Sequence, residues 1–596
     1  MKRIAILAII LMVSMNISCK KDFFDQVPDD RLTLEETFNS RDASEKFLAN
    51  VYNFIKDESE QRFSVPWTAG SDEADFVWGF APSNNINNGT YDASSGFINT
   101  YWQSYYQAIR SASIFMANID KVPDLPASLK TQYKAEAKAL RAYFYFQLMR
   151  LYGPIILIGE DVIAADASFE ELQKPRNSYD ECVNYVVAEM DAAAAALPVT
   201  ANTANLGRMT KSIILAYKAE LLLSAASPLF NGNTDYAALK NSDGKQLINQ
   251  TFDATKWKRA ADAAKAFLDQ FVPGTYTLFK KNDDNGNYSA YLSCRDVMLE
   301  NWNKEVIFAR DQNNIPGLQY ERVPYHQGYS DEVRASGGLG ATQNMVDAYF
   351  TANGRSIDDS ASGYVSSGYT GYQAPGDDRI RGVWNAWANR EPRFYVGITY
   401  TGSKWLNTNS GEVITDIFAH GNSGKATGGN DYSTTGYMVR KNVSTGTWYD
   451  GGRSLVMLRL AQLYLDYAEA LNEAEPGNAD ILKYLNLIRE RAGIPQYGSS
   501  SLPAPASQAA MREAIRKERR VELAFENVRF FDVRRWKIAE DTQKGPIKGL
   551  TVDADPPNFF NVVTLETRVF QKKHYLFPIP QADINSDKQL KQNTGW

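Results

Sequence analysis

Residues 135–152 read AEAKALRAYFYFQLMRLY, and this stretch decides the fold. Leu140, Phe144, Leu148 and Leu151 recur at helical spacing and give one apolar face. Gly153-Pro154 follows at once and stops the helix. The same pattern returns at 458–472 (LRLAQLYLDYAEALN), where Leu460, Leu463, Tyr464, Tyr467, Ala468 and Leu471 share a face. Further helices are expected near 41–56, 97–120, 177–196, 210–227, 254–271, 478–492 and 507–526. Ala-rich and Tyr-rich helices in adjacent pairs suggest tetratricopeptide-like hairpins, although the strict repeat consensus is absent. Each pair buries its face against the next, which gives an α/α superhelix.

Between about 275 and 450 the helical period disappears. Of the chain's 39 glycines, 22 fall from Gly317 to Gly452, more than twice an even share. Trp384, Trp387, Trp405 and Trp448 lie in the same stretch, which reads as loops, turns and short strands. Its aromatic content argues against disorder. A second irregular stretch, 57–96, carries Trp67, Asp72, Glu73, Trp78 and Phe80. Helical pattern resumes after Gly452, so the loops are an excursion from one helical scaffold.

The chain opens MKRIAILAIILMVSMNISC. Two basic residues, a short apolar run and a single cysteine have the layout of a secretory leader, residues 1–18, and the run is too short to span a bilayer. Asn16-Ile17-Ser18-Cys19 resembles a bacterial lipobox, so Cys19 is expected to carry the acyl chains that tether the protein to a membrane surface. The net charge of −6 leaves no basic surplus for nucleic acid. Cys182 and Cys294 could form one disulfide but are expected rather to be two separate buried thiols, and no Cys-x-x-Cys pair offers a zinc site.

Together these blocks resemble the SusD/RagB family of outer-membrane lipoproteins over nearly the whole length. Cys19–Pro28 (CKKDFFDQVP) is similar to the family's start. Ala135–Tyr152 with Gly153-Pro154 is similar to its hallmark helix, and Gly207–Lys211 (GRMTK) opens another shared block. Arg390–Arg393 (REPR) resembles its Arg-Asp-Pro-Arg turn, with Glu391 in place of Asp. Arg459–Leu471, Asn486–Gly493, Ile515–Glu526, Phe531–Trp536, Phe577–Pro580 and Gln592–Trp596 follow in family order. The resemblance implies a mainly α fold of about four tetratricopeptide-like helix pairs with ligand loops on one face. It implies one domain over 19–596, with helical scaffold at about 30–272 and 452–540 and the loop-rich ligand side at about 275–450.

The function implied is non-catalytic: a surface lipoprotein of the outer membrane that captures oligosaccharides and passes them to a SusC-like TonB-dependent transporter. The alternatives are a peptide-binding lid of the same transporter type, as in RagB-like members, and a glycan hydrolase. No His-Glu-x-x-His, Gly-x-Ser-x-Gly or Walker motif is present, and no cofactor or metal is expected. Binding residues do not transfer from the family, so the candidates come from residue chemistry. Flat aromatic rings match the apolar C–H faces of sugars, and neighbouring polar side chains bond the hydroxyls. Asp72, Glu73, Trp78 and Asn84 form one candidate group and Tyr320, Arg322 and Tyr325 a second; Trp67, Trp384 and Trp387 are further single candidates. Trp102, Trp257 and Trp536 sit in helical patterns and are expected in the core. The charge run Arg512–Arg535 is expected to be a solvated, salt-bridged helix, and Lys281–Asn287 (KNDDNGN) a polar turn rather than a calcium loop.

Overall fold

The computed structural model describes residues 33–164, 166–409 and 411–596. The expected leader, Cys19 with its expected lipidation, and the 19–28 block lie outside the described residues. The first long helix of the described residues is α1 (Arg41–Tyr52), capped by the Ser40 hydroxyl. The chain continues through α2 (Gly96–Asn118), α3 (Ala127–Tyr152), α4 (Tyr179–Ala196), α5 (Lys211–Ala226) and α6 (Thr255–Phe271). Ser178 and Glu181 close a reciprocal capping box at the start of α4, and the Thr210 hydroxyl caps α5. Gly153, at φ 73°, turns the chain out of α3. After the excursion come α8 (Leu460–Ala474), α9 (Ala479–Arg491), α10 (Gln508–Glu522) and α11 (Arg529–Arg535), α7 being a short helix inside the excursion (Ile315–Arg322). Each scaffold helix packs on its predecessor from α1 to α6; α6 then packs on α8, and α8 on α9 and α10. This is the α-rich, tetratricopeptide-like superhelix that the pattern predicts.

Three boundaries move. Helix α1 stops at Tyr52 and α10 at Glu522, short of the expected 56 and 526. Helix α3 starts at Ala127, after Pro126, rather than at 135. Its burial also differs from the expected single face. From Ala139 to Met149 every residue is buried, because α2 covers one side and α4 another. Two of its charges, Glu136 and Arg141, are buried as well. Arg141 donates to Glu189 of α4 at 2.9 Å and to the Ser113 hydroxyl of α2 at 3.0 Å. Glu136 accepts the Tyr52 hydroxyl of α1 at 2.6 Å and Arg208 Nε at 2.8 Å. Buried charges persist only when paired, and these pairs fix which helices meet.

The excursion is stitched at its base by an antiparallel pair, β2 (Val306–Arg310) with β6 (Leu455–Arg459). β1 (Ala74–Phe76), from the 57–96 stretch, pairs β3 (Leu339–Ala341) of the excursion, and within the excursion β4 (Tyr369–Tyr372) pairs β5 (Arg381–Trp384). Near the C-terminus β7 (Gly545–Leu550) pairs β8 (Val562–Arg568). These strands and loops close over a second hydrophobic core that includes Phe76, Leu339, Trp387, Phe394, Tyr437, Phe525 and Phe559. Trp102, Trp257 and Trp536 are buried, as expected. Cys182 and Cys294 are separate buried thiols, pushed up to about 12 and about 11 by burial.

The charge run Arg512–Arg535 corrects an expectation. It is salt-bridged but largely buried rather than solvated, only Glu513 and Lys517 staying exposed, and its buried arginines find partners on other elements as well as within their own helix. Arg519 binds Asp466 at 2.5 Å and Asp532 at 2.6 Å, and Arg535 holds Glu469. Glu522 sits among Arg393, Arg459 and Arg491. The cluster lies where α8, α9 and α10 meet the excursion, so burial there demands exact charge pairing. Asp283 accepts the backbone N–H of Asn285 and Asn287, which makes 281–287 a turn.

Candidate functional site

Four rings form a row at the surface. Phe63 and Phe80 lie 5.3 Å apart with planes 14° from parallel. Phe80 and Trp78 are 6.0 Å apart at 13°, and Trp78 and Tyr320 are 6.3 Å apart at 14°. Phe63 is 64% exposed and Phe80 59%, so the row faces solvent. Trp448 closes its Tyr320 end, edge-on at 5.3 Å.

Each ring is placed by a local device. Trp78 leaves the end of β1, where Val77 N–H donates to Gly338 O at 3.1 Å. Its indole lies across Gly338, and a Cβ on that glycine would stand 2.7 Å from the ring. The Asn84 amide donates to the Trp78 carbonyl at 2.9 Å and holds the turn that carries Phe80. Tyr320 is on α7, which Asn314 caps through Gly317 N–H at 3.0 Å. The loop bearing Arg62 and Phe63 is strapped to the same helix. Asp57 accepts Asn314 N–H at 2.8 Å, and Glu60 accepts the Asn314 amide at 2.7 Å. Glu321, fully buried, accepts the backbone N–H of Gln61 at 2.9 Å and of Arg62 at 2.8 Å. On the other side of α7, Gln319 donates to the Trp448 carbonyl at 2.7 Å.

Polar groups flank the row. The Arg62 guanidinium lies 4.5 Å from the Tyr320 ring centre, 5.6 Å from Trp78 and 5.1 Å from Phe63, and it pairs with Glu60 at 2.7 Å. Burial raises the Asp431 carboxyl, against the pull of the Trp78 N–H and Arg62. The Tyr320 hydroxyl is raised by burial and by Asp431, with Arg62 opposing and Tyr325 adding a smaller push. Tyr325 in turn takes a hydrogen bond from Arg334, whose guanidinium sits 4.5 Å over its ring. The result is an apolar strip with a guanidinium, a carboxyl and phenol hydroxyls at its edge. That combination suits a ligand with an apolar face and a rim of hydroxyls. Among the described residues no three His, Cys, Asp or Glu side chains are grouped to hold a metal ion.

The structure thus brings together Trp78, Asn84, Tyr320 and Tyr325. It separates the other candidates. Trp67 is 2% exposed, wedged against Tyr101, Phe530 and Phe531. Asp72 is buried; burial alone would raise its carboxyl, but Arg520 and Arg529 hold it well below the usual range. Glu73 beside it is pushed up to about 8 by burial and by Asp72, and it accepts Phe525 N–H. Arg322 points inward to the Lys441 carbonyl, and burial lowers it to about 10. Trp387 is 1% exposed and donates to the Tyr437 hydroxyl. These five residues pack or pair inside the protein and present nothing to a ligand, which corrects their selection. Trp384 is half-buried on the β4–β5 hairpin, stacked on Phe560.

Residue chemistry overlooked Arg62, Phe63 and Asp431, and passed over Phe80 and Trp448 when choosing candidates. Phe80 carried a legible signal, because Phe76, Trp78 and Phe80 alternate along one face of an extended segment. Asp431 carried none; only the return of a distant loop brings it to Trp78.

Comparison with known proteins adds independent findings. The model described as "SusD family" matches residues 304–596, and the one described as "Starch-binding associating with outer membrane" matches residues 22–223. SusD-like protein P2 of Formosa agariphila is 24% identical over 515 residues, covering 85% of this chain and 82% of its own. Among solved structures, BT4246 superposes with a TM-score of 0.79 at 25% identity, covering 94% of this chain and all of its own. A laminarin-binding SusD-like protein superposes at 0.60 with 18% identity, covering 94% of this chain and 100% of that one.

Proposed function

The chain belongs to the SusD/RagB family, and from that premise we propose that it is a non-catalytic glycan-binding lipoprotein of the outer membrane, lipidated at Cys19 and exposed at the cell surface. The row Phe63, Phe80, Trp78 and Tyr320 carries the reading. Pyranose rings of an oligosaccharide lie on this strip, their C–H faces on the aromatics. Arg62, Asp431 and the Tyr325 hydroxyl bond the hydroxyl rim. The names of the starch-binding family model and the laminarin-binding relative support a glucan-like cargo. The bound oligosaccharide is handed to a SusC-like TonB-dependent transporter beneath. Release is part of the task, so affinity is expected in the micromolar to millimolar range, about −8 to −4 kcal/mol.

The test is a screen of the soluble chain from Lys20 onward against plant, microbial and host glycans and mixed peptides, with chromatography of the supernatants. Binding of one glycan class without breakdown is expected. Breakdown of the bound glycan makes the protein a hydrolase, and binding of peptides alone makes it a peptide lid; either outcome overturns the reading.

A further inference from the structure

A second aromatic surface lies on the β4–β5 hairpin. Tyr369 pairs with Trp384 across the strands, and Gly371 with Gly382 two residues along. Side chains at these four positions share one face of the hairpin. The opposite face is anchored: Val383 is buried, and Tyr372 stacks on Tyr395 at 6.0 Å. Trp384 lies flat on Phe560, 4.0 Å away and 7° from parallel, which fixes the plane of its indole. Tyr369 stands perpendicular to both rings, 5.2 Å from Trp384 and 5.7 Å from Phe560. Since those two rings are only 4.0 Å apart, Tyr369 sits beside the stack rather than on top of it. It is 59% exposed, so the pair makes an aromatic corner open to solvent.

Next to the corner lies a bare shelf. A Cβ on Gly382 would meet nothing within 4 Å, and one on Gly371 would meet only Ile380. Asn385 follows Trp384, while Asn558 and Asn561 flank Phe560 and are exposed. From Tyr364 to Gly376 there is no charged residue (YVSSGYTGYQAPG). Tyr, Ser, Gly and Asn around rigid rings are the materials of adaptable polar recognition. The hairpin's charges, Asp377, Asp378, Arg379 and Arg381, sit at its turn, and Arg381 is paired with Asp377 and Glu412, so the uncharged Tyr369 end suits a neutral ligand. Trp78 and Trp384 both border the second core, yet the ring neighbours of Trp78 are Phe76, Phe80 and Tyr320, and those of Trp384 are Tyr369 and Phe560.

We propose that the Tyr369–Trp384 corner and its glycine shelf form a second carbohydrate subsite, which takes a neutral stretch of the same polymer whose other part lies on the Trp78 strip. It rests on the glycan-binding reading. Two weak subsites on one polymer raise the effective affinity of long chains and leave short oligosaccharides unaffected, because only a long chain engages both.

The experiment uses the soluble chain with laminarin and amylopectin as polymers, and the hexasaccharide of each, in affinity electrophoresis and calorimetry. The variants are Tyr369→Ala, Trp78→Ala and the pair together; Tyr369 is exposed, so its loss leaves the fold intact, checked by thermal melting. Tyr369→Ala is expected to weaken polymer binding tenfold or more and to leave hexasaccharide binding within twofold. Trp78→Ala is expected to abolish hexasaccharide binding while the polymer is still retarded, and the double variant to lose both. Polymer affinity unchanged in Tyr369→Ala, with Trp78→Ala losing everything, overturns the second subsite and leaves the first standing. The converse, Trp78→Ala unchanged and Tyr369→Ala losing polymer binding, overturns the strip and keeps the hairpin. A wild-type chain that retards neither polymer overturns the neutral-glycan assignment of the hairpin.

Discussion

The buried carboxyl of Glu321 accepts the backbone N–H of Arg62 at 2.8 Å. One hydrogen bond thus joins residues 259 positions apart and sets the register between Arg62-Phe63 and Tyr320. Glu321→Ala leaves two backbone donors unsatisfied, at a cost of about 1–3 kcal/mol each. It is expected to lower glycan affinity tenfold or more with the helical scaffold retained. Glu321→Gln keeps an acceptor oxygen in place and is expected to bind like wild type. Calorimetry on the two variants checks this, and equal affinity in both sinks the positioning role.

The pH dependence of stability follows from the same residue. Burial raises Glu321 to about 8, and burial with Asp72 does the same to Glu73. An acid that holds its proton more tightly folded than unfolded contributes stability fully below its unfolded value, near 4.5, and loses it as pH rises through about 8. Each such group gives a slope of about −1.4 kcal/mol per pH unit across that window. Glu321→Gln is neutral throughout and is expected to flatten the slope by one group's share. Urea denaturation at half-unit pH steps measures it; an unchanged slope refutes the assignment.

Trp78 and Phe80 are the two middle rings of the strip, Phe80 exposed and Trp78 partly so. Trp78→Ala and Phe80→Ala are each expected to weaken oligosaccharide binding at least tenfold, about 1.4 kcal/mol. Their melting temperatures should stay near wild type, since Phe80 is exposed and Trp78 only borders the second core. Full affinity in both variants would remove the strip from the mechanism.

Gly338 leaves room for the Trp78 indole, and its missing Cβ would come within 2.7 Å of the ring. Gly338→Ala is expected to push the indole off the row. The readouts are weaker glycan binding and an altered tryptophan emission maximum in an otherwise folded protein. Wild-type emission and affinity in this variant would show that the ring tolerates the methyl group.

Glu522 is surrounded by Arg393, Arg459 and Arg491. Their charges overcome the burial that would otherwise raise it, and hold its carboxyl far below the usual range. Glu522→Gln leaves three buried guanidinium groups short of a counter-charge. A loss of about 3–5 kcal/mol is expected, read as a lower urea midpoint, with no direct effect on the ring row.

Much of the scaffold was legible because it is local. Helical spacing in 135–152 and 458–472, and stop signals such as Gly153 and Gly493, act within a few residues, so the chain declares them directly. The burial of α3 on every side was not legible. One apolar face is visible in the sequence, but the second covering helix is a property of the packing. The same holds for the charge run at 512–535. Spacing predicts pairs within one helix, whereas Arg519 finds Asp466 and Arg535 finds Glu469 from another.

The site divides along the same line. Composition alone pointed to aromatic platforms in 57–96 and 275–450, and the structure places its candidates Trp78, Tyr320 and Tyr325 near one another. Composition also chose Trp67, Asp72, Glu73, Arg322 and Trp387, which are buried. A tryptophan in a loop has the same letter whether its face meets a sugar or Phe530. The sequence by itself determined the helical repeat, the family blocks and the supply of rings, because periodicity and composition are written along the chain. Only the tertiary structure decided which rings line up at the surface, because that depends on long-range contacts such as Glu321 to Arg62 and Trp78 across Gly338. Those contacts join segments that no local pattern connects.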